Sequence, residues 1–250
     1  MIDLKLNSSA DLRKEGKSFY WASFFLPKSY KKNAGTLYSI CRYFDDIADK
    51  YSEDQTIYLK KTIEEIRTNK NNKVNIFLQK NEINNLIFID LIEGLILDQK
   101  KIRIQNKEEL IKYSYHVAGT VGLMMSKIIG VKHEKASRSA IDLGIGMQLT
   151  NIARDVYEDS KMKRIYLPAN WIPDISLKNL TDLHNKSSEK DEIISNAIHA
   201  VICLSDKFYQ NGFAGLKYIP LSTRLGIFIA ANVYRGIGIK IKSNKKKYLR

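Results

Sequence analysis

At 250 residues, 44% hydrophobic and 27% charged, the chain has the length of one or two domains and can bury a sizeable core. Its net charge of +14 is uneven: no acid follows Asp206, while ten Lys and Arg fall in the last 44 residues. No nucleic-acid-binding motif accompanies that charge, so a nucleic-acid partner is not expected, which leaves an anionic membrane surface or a plain bias toward Lys, Asn and Ile.

Taken in chain order, Ser8 or Ser9 caps a first helix running to about Phe25, where Pro27 ends it. A second helix is expected from about Lys31 to Tyr51. A third, Asp54 to Arg67, has Leu59, Ile63 and Ile66 at helical spacing. After a polar loop over Thr68–Lys73, helical patterns run over Val74–Lys80, Ile83–Leu97 and Lys107–Ile129. Glu134 to Ser160 reads as one long helix. Pro168 and Pro173 make Arg164–Trp171 a loop, and two or three further helices occupy Leu177–Ile241. No stretch alternates as a strand does, so the class is all-α. Pro occurs only at 27, 168, 173 and 220, and no linker, repeat or low-complexity block interrupts the chain. One domain over 1–250, with a basic tail at 240–250, is the expectation.

Cys41 and Cys203 stand alone, which excludes a thiolate metal site and a disulfide framework and implies a reducing cytoplasm. Met1–Gly16 lacks the apolar core of a secretory leader, and the apolar stretch Leu225–Val233 is far short of the ~20 residues that span a bilayer. The basic tail beside that stretch suits reversible contact with a membrane, at its inner face.

Two acidic clusters carry the chemistry: Asp45-Asp46-Ile47-Ala48-Asp49 and Asp155-Val156-Tyr157-Glu158-Asp159. Carboxylates four apart share a helix face. Tyr38, Arg42, Asp45 and Asp49 form one polar stripe, and Gly144, Gln148, Asn151, Asp155 and Asp159 form another, flanked by Ile145, Met147, Leu149, Ile152 and Val156. A solvated face mixes Lys with Glu; these stripes hold no Lys and a single Arg. Polar groups on otherwise apolar helices need partners. All-oxygen donors suit a hard cation, Mg²⁺ with Mn²⁺ as the alternative, shared with a substrate phosphate. Two such helices face to face would cradle a diphosphate. His116, His133, His184 and His199 show no zinc-ligand spacing, and no GxGxxG, GK[ST] or GxSxG occurs, so no nucleotide or nucleophile site competes.

Five tracts in order resemble the squalene/phytoene synthase family, the all-α head-to-head prenyltransferases. They are Ser18-Phe19-Tyr20 with Leu26-Pro27, YSICRYFDDIAD from Tyr38, YSYHVAGTVGLM from Tyr113, QLTNIARDVYEDSKMKRIYLP from Gln148, and AANVYRGIG from Ala230. Bacterial phytoene synthases are the most similar members. The resemblance implies an isoprenoid-synthase-type helical bundle with a central cavity. It implies Mg²⁺ on Asp45, Asp49, Asn151, Asp155 and Asp159. It gives catalytic roles to those four aspartates with Arg42 and Arg154. Ser18, Phe19, Tyr38, Arg42, Gln148, Arg154 and Tyr234 would meet the substrates. Arg164 would close over the diphosphate, and Ala118, Gly119 and Gly144 would leave room for isoprenoid chains.

The implied reaction joins two geranylgeranyl diphosphates into phytoene, for carotenoid biosynthesis, through a cyclopropyl diphosphate and without NADPH. Two alternatives remain: a dehydrosqualene- or squalene-type synthase using farnesyl diphosphate, and a non-catalytic relative acting as an assembly factor. Where the family usually continues past the YRGIG helix, this chain turns into its Lys-rich tail. The oligomeric state is not readable.

Overall fold

The computed structural model describes residues 25–50, 52–99, 102–182 and 189–243. The expected first helix, with Ser18 and Phe19, lies outside them, as do 244–250 of the tail. The described residues form an all-α bundle: α1 (Lys28–Asp49), α2 (Glu53–Arg67), α3 (Lys73–Lys80), α4 (Asn85–Asp98), α5 (Lys107–Ser114), α6 (Thr120–Ile128), α7 (Glu134–Arg154), α8 (Val156–Lys161), α9 (Leu177–Thr181), α10 (Glu189–Ala214) and α11 (Leu221–Ser243). The one β-type pairing among them is an isolated bridge, Arg103 to Ile165.

Local chemistry sets the helix starts. The side chains of Ser52, Asn72, Asn84, Asn106 and Ser176 each accept from an amide of the first turn. Such caps satisfy donors that have no helical partner. The Asn-rich composition therefore has a structural use at α3, α4 and α5.

Two helices expected to be continuous are not. Lys107–Ile129 contains a π-helical turn, Tyr115–Gly119, between α5 and α6. That extra residue per turn re-aims the side chains between its flanks. The helix expected over Glu134–Ser160 breaks at Asp155, whose φ of −103° and ψ of 14° leave the helical region. The Asp155 amide still donates to Asn151 O at 2.9 Å and the Asp159 amide to Asp155 O at 2.8 Å, so the acidic stripe stays nearly in line.

The core is split. The largest two apolar clusters are one that joins α1–α4 with α6 and one that joins α5, α7, α10 and the segment 165–180, with two smaller ones around Ile129 and Leu143. α4 is apolar nearly all round and buries Phe88, Ile89, Leu91, Ile92 and Leu95. α7 packs most extensively on α10 and crosses α6 and α11. Between the two clusters lies a cavity of about 380 Å³.

Among the described residues no helix is long and apolar enough to cross a membrane.

Candidate functional site

The cavity is walled by α1 and α4 on one side and by α7 and α11 on the other, with the π turn and α6 between. Its walls are mostly apolar, from Leu37, Leu95, Val121, Met125, Leu143 and Ile227 among others. At one end the lining turns polar: Tyr38, Arg42 and Asp45 from α1 face Gln148 and Asn151 from α7 and Tyr234 from α11. An apolar channel with a polar mouth results.

Each acidic motif is held by an arginine. Arg42 Nη1 donates to Asp45 Oδ2 at 2.8 Å, and its Nη2 lies 2.7 Å from Asp46 Oδ1. Arg154 donates through Nε and Nη2 to the two oxygens of Asp155, both at 2.6 Å. Arg164 Nη1 donates to Asp49 Oδ1 at 2.8 Å, and this pair ties the second motif's loop to the first motif's helix. The Arg164 side chain is only 10% exposed.

The Arg164 loop is set by its backbone. Lys163 takes a left-handed φ of 61°, and the Arg164 amide returns to Asp159 O. Beyond it the chain zips to the segment before α5: Ile165 N to Ile102 O, Ile104 N to Ile165 O and Ala169 N to Ile104 O. A residue so over-determined points one way.

Beneath the mouth sits a cluster that the sequence reading missed. Asp98, the last residue of α4, is 9% exposed and accepts from Tyr166 Oη at 2.7 Å and Tyr113 Oη at 2.9 Å, while the two rings stack with centroids 4.8 Å apart. Asp98 and Tyr113 both line the cavity. The available signal was an acid closing the otherwise apolar run NLIFIDLIEGLILD. Burial pushes Asp98 up to about 6, against the two tyrosine hydrogen bonds and Arg164, which pull it down.

The motif carboxylates are strained in the same sense. Desolvation, then Asp49, raise Asp45 to about 6; desolvation, then Asp155, raise Asp159 to about 8. Anions crowded in this way gain from a cation. The Asn151 Oδ1 is buried with no hydrogen-bond partner, while its Nδ2 lies 3.4 Å from Gln148 Oε1. An orphaned amide oxygen beside crowded carboxylates is an all-oxygen donor set, and it fits Mg²⁺. No three His, Cys, Asp or Glu side chains among the described residues already converge as a cation cage. Mg²⁺ does not require one, because it keeps waters and is commonly held by one or two carboxylates plus substrate phosphate.

Other expected residues are placed differently. Ala118 and Gly144 line the cavity, but Gly119 does not. A Cβ on Gly144 would lie 2.2 Å from Ala118 O, and one on Gly119 would press on Tyr115 and Ile141 at 3.1 and 3.2 Å. These glycines serve close helix crossing before they serve ligand space. Asp49, Arg154, Asp155, Asp159 and Arg164 lie outside the cavity lining, on the same two stripes or bonded to them. Cys41 lines the cavity with its thiol pushed up to about 12 by burial and Asp45, which keeps it protonated.

This arrangement has known counterparts. The model of the squalene/phytoene synthase family matches residues 12–250. The chain belongs to that family. By that membership it is a prenyltransferase with an all-α isoprenoid-synthase fold. A 15-cis-phytoene synthase of Enterobacter agglomerans is 32% identical over 245 residues, covering 90% of this chain and 81% of that protein. A phytoene synthase of Thermus thermophilus is 30% identical over 249 residues, covering 92% and 81%. The crystal structure of a dehydrosqualene synthase in complex with ligand superposes with a TM-score of 0.84 at 25% identity, covering 96% of this chain and 86% of that one.

Proposed function

We propose that this prenyltransferase is a phytoene synthase, joining two molecules of geranylgeranyl diphosphate head to head. The observation that carries the reading is the apolar cavity whose polar end is lined by Tyr38, Arg42 and Asp45 of α1 and by Gln148 and Asn151 of α7, the two helices that carry the aspartate motifs. Its lining follows α7 from Asn151 down to Ala136, about 22 Å at 1.5 Å per residue, a depth that suits a 20-carbon tail. The relatives named phytoene synthase support the same chain length. The dehydrosqualene synthase likeness favours farnesyl diphosphate as the second reading.

Asp45, Asp49, Asn151, Asp155 and Asp159 would hold Mg²⁺. When bound, it would neutralise the diphosphate and ease loss of that group. Arg42, Arg154 and Arg164, now paired with Asp45, Asp155 and Asp49, would offer guanidinium forks to the phosphate oxygens were those aspartates engaged by the cation. Those three cations, with Gln148 and Tyr234 as hydrogen-bond donors, stabilise charge where it develops on the departing diphosphate. The C–O bond breaks with its electron pair on oxygen. The allylic cation is attacked by the second substrate's double bond, and proton loss closes the cyclopropyl ring. Loss of the second diphosphate, rearrangement and a further proton loss give the hydrocarbon, with no hydride required. Walls such as Leu95, Val121, Met125 and Leu143 exclude water from the cations and keep the two chains together.

Asp45→Asn and Asp155→Asn are expected to lower Mg²⁺-dependent diphosphate release from geranylgeranyl diphosphate by about 10²-fold or more, with unchanged helical circular dichroism. Parent-level release in both variants would overturn the metal assignment.

A further inference from the structure

The end of the bundle opposite the aspartates combines positive charge with exposed apolar side chains. Three segments meet there. Tyr30, near the start of α1, lies against Gly130 in the α6–α7 turn. His133 of that turn stacks on Tyr218 with centroids 4.2 Å apart, and Thr223 Oγ1 donates to Ile129 O. Residues 25–32, 127–138 and 215–225 therefore form one surface. In sequence they carry nine Lys and Arg against a single acid, Glu134. Lys132, Lys135 and Lys217 are exposed. Arg224 braces the corner by donating to the carbonyls of Lys217 and Ile219.

The apolar component stands beside them. Leu221 is 79% exposed, Leu225 51%, Phe25 47% and Phe228 46%. Leu221, Leu225 and Phe228 follow one face of α11 at steps of four and three, while Gly226, Ile227 and Ala230 line the cavity from the same helix. The cavity's apolar end, at Ile129, Val131, Leu216 and Ile219, lies directly behind this surface. Asp155 is about 30 Å away along α7.

The C-terminal tail leaves from the other end. α11 stops at Ser243, about 22 Å along the helix from Phe228, so its last described residue is well away from Leu221, Leu225 and Phe228, although Ile239, 55% exposed, lies nearer to it. Arg235, counted among the late positive charges, is paired with Asp206.

We propose that this basic, apolar end docks on an anionic lipid bilayer. Lysines around a small apolar patch match the chemistry of an anionic headgroup layer over acyl chains. Docking there puts the tail-binding end of the cavity against the bilayer and leaves the diphosphate mouth in water. Only the floor of the channel would then separate a hydrocarbon product from the acyl chains. This benefit rests on the function proposed above, whereas the docking itself does not require it.

The test is sedimentation of the full chain with phosphatidylglycerol-containing vesicles and with pure phosphatidylcholine vesicles, without substrate. Binding is expected to the anionic vesicles and to weaken with salt. Lys132→Glu/Lys135→Glu/Lys217→Glu is expected to weaken it on the order of a hundredfold. Leu221→Ser/Leu225→Ser is expected to weaken it about tenfold or more. Reversal of Lys60, Lys61 and Lys112, or truncation after Ser243, is expected to leave it nearly unchanged. Circular dichroism and diphosphate release from detergent-dispersed substrate report that the variants stay folded. Equal binding by the triple variant, equal binding to neutral vesicles, or loss confined to the truncation would overturn the proposal. A chain that docks but releases no diphosphate would instead overturn the function reading alone.

Discussion

Asp98 shows what a single residue can hide from its sequence. Five residues of the site's polar end, Tyr38, Arg42, Asp45, Gln148 and Asn151, announce themselves by stripe spacing; Asp98 sits alone at the end of an apolar helix and gains meaning only when Tyr113 and Tyr166 arrive from elsewhere in the chain. Its carboxylate anchors the segment that follows Arg164 and so fixes the ion pair to Asp49. Asp98→Ala leaves two buried hydroxyls without an acceptor and is expected to cost about 2 kcal/mol of stability, read from the urea midpoint. An unchanged midpoint would mean that the tyrosines find other acceptors. The same limit applies to the arginines: Arg42 was legible beside Asp45 on one helix, but the Arg164–Asp49 pair, 115 residues apart, was not legible from spacing.

At the scale of elements, periodicity placed most helices within a few residues, because buried faces repeat at the helical period. Two breaks escaped it. The π turn at Tyr115–Gly119 and the kink at Asp155 preserve the apolar pattern on either side, so hydropathy cannot register them. Asn composition was also misleading. What reads as a bias includes the caps of three helices. The glycines at the crossing of α7 with the π turn are legible as small residues but not as contacts. With Ala118 O only 2.2 Å from the place of a Cβ, Gly144→Val is expected to push the two segments apart, at a cost of about 1–3 kcal/mol. Thermal unfolding checks this, and a melting temperature equal to the parent's would show that the crossing has slack.

For the whole molecule, the arrangement is two apolar clusters with a channel between them, polar at one end and abutting a basic surface at the other. Sequence alone could state the net charge but not its distribution, since the nine cations of the basic end come from three segments far apart in the chain. The late run of Lys and Arg points to the tail, whereas the fold puts Ser243 at the far end of α11 from Leu221, Leu225 and Phe228. Channel depth is likewise a property of the assembled bundle, for its floor comes from the α6–α7 turn and the corner between α10 and α11. Depth is also what divides a 20-carbon from a 15-carbon substrate.

The central claim is head-to-head coupling of two 20-carbon diphosphates in that channel. Its most direct test is the mass of the hydrocarbon formed when the purified chain is given geranylgeranyl or farnesyl diphosphate, with and without Mg²⁺. A 40-carbon product from geranylgeranyl diphosphate, only with Mg²⁺ and without NADPH, is the predicted result. A 30-carbon product from farnesyl diphosphate alone, or no hydrocarbon from either substrate, would contradict it.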